Sequence, residues 1–293
     1  MKRIAVIGAT GKLAVPVVAA LVRERFRVKA IVRDPVRAAR LLPESVTIVT
    51  GDLQDRASLR KALADETHLY LNLATETIRL DLPFYAEREG IKNVVEVAKQ
   101  VGIKQILKIG GLGTYPQHQQ TITRPVVPNR IRLQGHAFIE QCRIPYTLFQ
   151  PTFFMDTIPW TIRGKAVQWV GKPASLYWIS SVDYARQVVN AIDNRAAFNK
   201  QYAVQGPEAM TYQEAIRRFI RVYDPTLRLT ATPVWLVRLL GLFSPRMRLM
   251  GHMFAYFERT PDRFYAQNTW DELGTPTTTI EAFAHQFRSR NRP

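Results

Sequence analysis

The sequence predicts an α/β protein, a doubly wound parallel sheet with a smaller C-terminal lobe. Three observations carry that prediction. The chain opens on a short apolar run, Ile4-Ala5-Val6-Ile7, which ends in a glycine loop and passes at once into a helical pattern. Further short β-rich runs alternate with helical patterns as far as Ile109, and such alternation implies parallel strands joined by right-handed crossovers. Of 293 residues, 46% are hydrophobic and 22% charged, which suits a sizeable packed core and excludes extensive disorder.

The first unit is the most informative. In Gly8-x-x-Gly11-x-x-Ala14 the glycines fall where side chains would hold a phosphate away from the backbone, and Ala14 lets helix pack closely on strand. The helix expected over residues 13–25 starts there, so its free amides and positive dipole end favour an anion. Gly8, Thr10, Gly11, Lys12 and Leu13 are therefore the expected phosphate cradle of a dinucleotide; the alternative is an ordinary strand-to-helix turn.

A second strand, residues 28–33, ends at Arg33, where an acidic residue would accept the ribose hydroxyls of NAD. With Arg37 one helical turn later, Arg33 suits a 2′-phosphate, so NADP(H) is favoured over NAD(H). Pairing with Asp34, or simple exposure to water, is the competing reading. A third strand (46–49) leads to Gly51-Asp52-Leu53, where Asp52 either accepts from an adenine amino group or caps the helix over 56–64. After a fourth strand (69–73), Ala74 and Thr75 offer a small surface for the cofactor; a long helix (83–101) and a fifth strand (105–109) follow.

Composition narrows the setting. A single cysteine, Cys142, excludes an internal disulfide and a cysteine metal cluster. The five histidines show no local ligand spacing, so no metal is expected. No uncharged run is long enough for a membrane span, and the chain enters its first strand by residue 4, which fits a cytoplasmic protein. The net charge of +17 is densest in residues 120–250, with 17 basic against 7 acidic groups. Such a field draws phosphates, anionic lipid or an acidic partner, but without a nucleic-acid-binding motif it does not point to DNA or RNA.

The second half is less regular. His118 lies in residues 114–128, a loop expected to roof the reactive end of the cofactor, where it is either a proton donor or a solvated side chain. A sixth strand spans 146–149, and a further strand near 201–204 returns to the sheet. The aromatic stretches 153–160 and 166–178 are either a cleft wall or a satellite core. A helix from Asp183 to residue 192 and a Thr211-x-x-Glu214 capping box are structural features. Residues 233–258 combine apolar side chains with arginines and break into two helices near Gly241 and Ser244-Pro245; they pack as a lobe, or meet a protein partner or an anionic membrane surface. The expected division is residues 1–155 as the core and 156–293 as the mixed C-terminal part, with about 181–205 returning to the core sheet.

The motifs Gly8-Ala9-Thr10-Gly11, Val32-Arg33-Asp34-Pro35, Gly51-Asp52-Leu53, Ile144-Pro145-Tyr146-Thr147, Gln150-Pro151-Thr152-Phe153-Phe154-Met155, Ser181-Val182-Asp183-Tyr184-Ala185 and Gly206-Pro207-Glu208 occur in this order. Together they resemble the NmrA-like branch of the atypical short-chain dehydrogenase/reductases. The tail Thr277-Thr278-Thr279-Ile280-Glu281-Ala282-Phe283 looks most like that of the photosystem II assembly factors in this branch.

The resemblance implies a Rossmann-type fold, a nicotinamide dinucleotide, and Arg132, Pro151 and Phe154 as further cofactor contacts. The departures matter as much. Where catalytic relatives carry a serine after the fifth strand this chain reads Gly110-Gly111, and Pro128 and Arg132 stand in place of the tyrosine and lysine. Glycine and proline move no proton, and arginine is no base near neutrality. The first expectation is thus an NADP(H)-binding redox-sensing, regulatory or assembly-type factor, possible at a membrane periphery. The alternative is a reductase of a quinone, dye or enone, acceptors that take hydride with little help from a protein acid.

Overall fold

The computed structural model describes residues 2–172 and 175–290. The first half alternates β1 (Arg3–Ile7), α1 (Ala14–Arg23), β2 (Arg27–Val32), α2 (Pro35–Leu41), β3 (Thr47–Thr50), α3 (Arg56–Leu63) and β4 (His68–Leu71). It continues through α4 (Ile91–Val101), β5 (Gln105–Ile109), the single turn α5 (Pro116–Gln119), α6 (Val127–Glu140) and β6 (Tyr146–Pro151). The long helix expected over 83–101 is shorter, because a π-helical turn, Ala86–Gly90, precedes α4.

After β6 the chain forms β7 (Ile162–Arg163), β8 (Ala166–Val170), β9 (Ser175–Tyr177), α7 (Ser181–Ala191) and β10 (Lys200–Val204). The last elements are β11 (Ala209–Thr211), α8 (Tyr212–Tyr223), β12 (Arg228–Thr232), α9 (Val234–Leu240), α10 (Pro245–Arg259), α11 (Gln267–Leu273) and α12 (Ile280–Arg290).

Seven strands form one parallel sheet in the order β3-β2-β1-β4-β5-β6-β10. The side-chain period of two divides β1 cleanly: Ile4 and Val6 enter the core with α1 and α7, while Ala5 and Ile7 enter the core with α3, α4 and α6. Burial on both faces explains why these strands read as continuous apolar runs. The order reverses between β1 and β4, which opens a crevice at the carboxyl ends of the strands.

A second core, with Trp169, Trp178, Phe219 and Phe283 among its members, holds the smaller lobe together. There β8 pairs parallel with β12 and antiparallel with β7, and β9 pairs antiparallel with β11. Thr211 caps α8, its Oγ1 accepting from the Glu214 amide at 3.2 Å. The aromatic stretch 166–178 serves this core through Trp169 and Trp178; Pro173 and Ala174 within it lie outside the described residues.

Candidate active site

The glycine loop is built around Asn72 at the end of β4. Gly8 has φ +80°, and a Cβ there would stand 2.1 Å from the Asn72 carbonyl oxygen. A Cβ on Gly11 would stand 2.3 Å from Asn72 Nδ2, which itself donates to Gly8 O at 3.3 Å. The backbone clash and left-handed φ demand glycine at position 8, and a Cβ at 11 would displace the Asn72 side chain; the first amides of α1, Ala14 and Val15, bond back to Gly11 O. Thr10 and Leu13 are half-buried, and Lys12 reaches out over the Trp160 ring at 4.1 Å.

At the end of β2, Arg33 and Arg37 are exposed and form no ion pair among the described residues. Asp34 is otherwise engaged: its carboxylate caps α2 by accepting from the Arg37 amide at 3.0 Å. Asp52 is not the cap of α3. That position belongs to Asp55, while Asp52 accepts from the Gln54 amide at 2.9 Å and remains exposed. Leu53 is half-buried against Gly90, and Ala74 is exposed beside the crevice.

Beneath the strand ends lies a buried charge cluster that the sequence did not disclose. Glu87, fully buried on the π turn, receives Lys108 Nζ at 3.0 Å and Arg132 Nε at 2.8 Å on Oε1. Its Oε2 receives Thr75 Oγ1 at 2.9 Å and Arg132 Nη2 at 3.2 Å. Gly135 makes this possible: a Cβ there would stand 1.9 Å from the Glu87 carbonyl oxygen, so α6 presses directly onto the π turn and brings Arg132, one turn earlier, onto the carboxylate.

Burial alone would raise the Glu87 carboxyl, but the two cations outweigh it and hold it at about 2. Burial pushes the Lys108 ammonium down to about 8, since one carboxylate serves two cations. His136 is buried against them, its Nε2 3.4 Å from Lys108 Nζ, and burial next to Lys108 and Arg132 keeps it neutral.

The missing serine has a geometric counterpart. A Cβ on Gly111 would stand 3.0 Å from Arg132 Nη1, and one on Gly110 would stand 2.1 Å from Gln150 Oε1. Gln150 Oε1 accepts from the Gly111 amide at 3.0 Å and lies 2.7 Å from the Thr114 hydroxyl. Side chains from β6 and α6 thus fill the space in which a hydroxyl after β5 would sit. Pro128 is buried at the start of α6.

A cavity of about 290 Å³ opens beside these residues. Its floor comes from Leu13, the backbone of residues 109–113, Arg132, Pro151 and Phe154; its roof comes from Met253, Tyr256 and Phe257 of α10 and from Asp262. The lining is mainly apolar, as in most small-molecule sites.

Besides Arg132, three ionisable groups line the cavity. His118 belongs to α5, not to a solvated loop; it is 2% exposed, its Nδ1 has no hydrogen-bond partner among the described residues, and burial next to Arg263 lowers its basicity. Asp262 accepts from Thr152 Oγ1 and from the Tyr177 amide on Oδ2, and burial raises its carboxyl to about 6. Burial beside Asp262 pushes the Tyr256 hydroxyl up to about 12. Among the described residues no group of three or more His, Cys, Asp or Glu side chains is arranged to hold a metal.

Asn72, Glu87, Lys108, Tyr256 and Asp262 all escaped the sequence reading. Only Lys108 carried a signal, as a lone charge inside the apolar strand Gln105–Ile109. Asp262 reaches the cavity from more than a hundred residues beyond the β5 loop, through packing that no local pattern encodes.

A parallel sheet in this order, with a glycine loop between its first strand and helix and a cavity over the carboxyl ends, defines a Rossmann-type α/β protein. The chain belongs to the NmrA-like family, whose model matches residues 1–283. It is 26% identical over 219 residues to an NAD(P)H azoreductase of Xenophilus azovorans, covering 72% of this chain and 70% of that one. It is 22% identical to the photosystem II assembly factor Ycf39 of Cyanophora paradoxa, covering 98% and 92%. Among solved structures, the Citrobacter sp. triphenylmethane reductase complexed with NADP(H) superposes with a TM-score of 0.75 at 18% identity, covering 98% and 99%.

Proposed function

We propose that this protein binds NADP(H) and reduces a flat, largely apolar acceptor such as a quinone or dye. The observation that carries the reading is the 290 Å³ cavity, which continues from the glycine loop at Leu13 across the ends of β5 and β6 and is roofed by Tyr256 and Phe257. A nicotinamide dinucleotide fits the residues present: Gly8 and Gly11 leave the backbone bare, α1 starts beneath the loop, and Arg33 and Arg37 are free to meet a 2′-phosphate. Asp52 and Leu53 follow the end of β3 and Ala74 and Thr75 the end of β4, with Thr75 donating to Glu87.

The bound cofactor would supply a hydride. This chain's part is to orient the acceptor, exclude water and manage a proton. Arg132, held by Glu87 through Nε and Nη2, presents Nη1 next to Gly111, where it can hold a hydroxyl or a developing negative charge. Asp262 is the group in the cavity best suited to give a proton, because burial raises its carboxyl to about 6. The names of the azoreductase and triphenylmethane reductase agree with such acceptors.

A second reading, a regulatory or assembly-type factor in the cytoplasm or at a membrane periphery, draws on a different observation. Trp235, Leu239, Leu242 and Phe243 are exposed on and after α9, Phe243 by 86%. The near-complete coverage of the Cyanophora Ycf39 protein favours it too. No helix among the described residues is long and apolar enough to cross a membrane, so any such contact would be peripheral.

One experiment separates the two. Purified protein is titrated with NADPH, then offered a panel of quinones and dyes while reduced-nicotinamide absorbance is followed. Saturable oxidation supports the reductase; tight binding without turnover on any acceptor favours the second reading, and failure to bind NADPH rejects both.

A further inference from the structure

A second cleft, of about 260 Å³, lies on the other side of α10 from the cavity, with Tyr256 and Thr260 lining both. Three elements each send one arginine to it: Arg124 from the segment before α6, Arg238 from α9 and Arg259 from the end of α10. His252 lines it as well, and no carboxylate does. Among the described residues none of these three guanidinium groups forms an ion pair or donates a hydrogen bond.

The amino end of α6 also faces the cleft through Val126 and Val127, and no side chain caps it. Arg124, Arg238 and Arg259 are exposed and share this cleft with an uncapped helix start and no carboxylate, and guanidinium geometry suits the oxygens of a phosphate or sulfonate.

We infer that this cleft is an anion subsite, and that the acceptor reduced in the adjoining cavity is a flat apolar body carrying a phosphate or sulfonate group. The inference rests on the reductase reading for the acceptor, whereas the subsite rests on the cleft alone. The body of the acceptor lies under Tyr256 and Phe257, and its anionic group reaches past Tyr256 and Thr260 to Arg124, Arg238 and Arg259. Neutral acceptors occupy the cavity without that anchor.

The test compares a sulfonated naphthoquinone with its unsubstituted parent. Binding is measured by calorimetry on the full chain with and without NADP⁺, conditions under which nothing is turned over, and NADPH oxidation is followed separately. The sulfonated compound should bind about tenfold more tightly, a preference that falls toward one in Arg124→Gln/Arg259→Gln and weakens with salt. Arg195→Gln/Arg221→Gln, at two exposed residues outside both cavities, removes an equal charge and should keep the preference.

Equal binding of the two quinones overturns the inference even if both are reduced. A preference that survives the double variant overturns it as well. If inorganic phosphate competes but the sulfonated quinone gains nothing over its parent, the cleft is a free-anion site and the acceptor assignment fails. A preference in calorimetry without any NADPH oxidation supports the subsite and rejects the reductase reading instead.

Discussion

The floor and the roof of the cavity are built by different rules. The floor is largely backbone: residues 109–113 and the end of β6 lie at strand ends held by sheet hydrogen bonds, and a Cβ on Gly110 or Gly111 would meet Gln150 or Arg132. The roof is side-chain volume, from α10 and Asp262, resting on a lobe with its own aromatic core. Backbone contacts specify one ligand shape closely, whereas a wall of Met, Tyr and Phe adapts to several. The floor therefore suits an invariant cofactor, and the roof suits a variable acceptor.

This contrast can be broken from the floor upward. Replacing Glu87 with Gln strips the countercharge from Lys108 and Arg132 under the floor. The expected loss is about 4 kcal/mol of unfolding free energy, because uncompensated charge is left buried. Urea denaturation near neutral pH measures it, and a loss below about 1 kcal/mol would mean that water already reaches the cluster.

Gly8→Val comes next. Its side chain meets the Asn72 carbonyl in a left-handed backbone region, so the loop must shift, costing about 2–3 kcal/mol in stability and most of the NADPH affinity. Retained NADPH affinity in a fluorescence titration would separate the loop from cofactor binding.

On the roof, Asp262→Asn tests the raised carboxyl through pH. The folded-state value is about 6 against an ordinary 3.8, so burial exacts no penalty at pH below the ordinary value, an increasing one between the two, and the full one above. Relative to the parent, the variant should gain on the order of 3 kcal/mol as pH rises from below 3.8 to well above about 6. A gain that does not grow with pH contradicts the assignment. If Asp262 is the proton donor, the parent's quinone reduction also falls as pH rises through about 6, and the variant's is lower and flat.

The smallest effect is at the exposed rim. Arg33→Glu should weaken NADPH about tenfold while leaving NADH within about twofold. Equal losses would remove Arg33 from 2′-phosphate recognition.

The elements that could be read in advance share a property: their information is local. Glycine spacing, strand ends and the alternation of periods identified the sheet, the loop and the strand-end residues Arg33, Asp52 and Ala74, because each depends on neighbours within one βα unit. The glycines and the proline that replace serine and tyrosine were equally visible, and the structure adds why the glycines fit, with Gln150 and Arg132 filling the space beside Gly110 and Gly111.

His118 was misread as a loop residue because its burial comes from Tyr265, far along the chain, against whose ring it packs edge-on at 5.8 Å. The choice for residues 233–258 likewise stayed open in one dimension. In three, α10 turns inward over the cavity while α9 leaves Trp235 and Leu239 in solvent.

By itself the sequence determined a parallel α/β sheet with a bare-backbone loop after its first strand, because hydrophobic period and glycine placement are properties of adjacent residues. The tertiary structure alone decided how a buried carboxylate came to hold two cations and how an aspartate came to sit over the strand ends. Burial and Coulomb attraction depend on distances between residues remote in the chain, and only packing sets those distances.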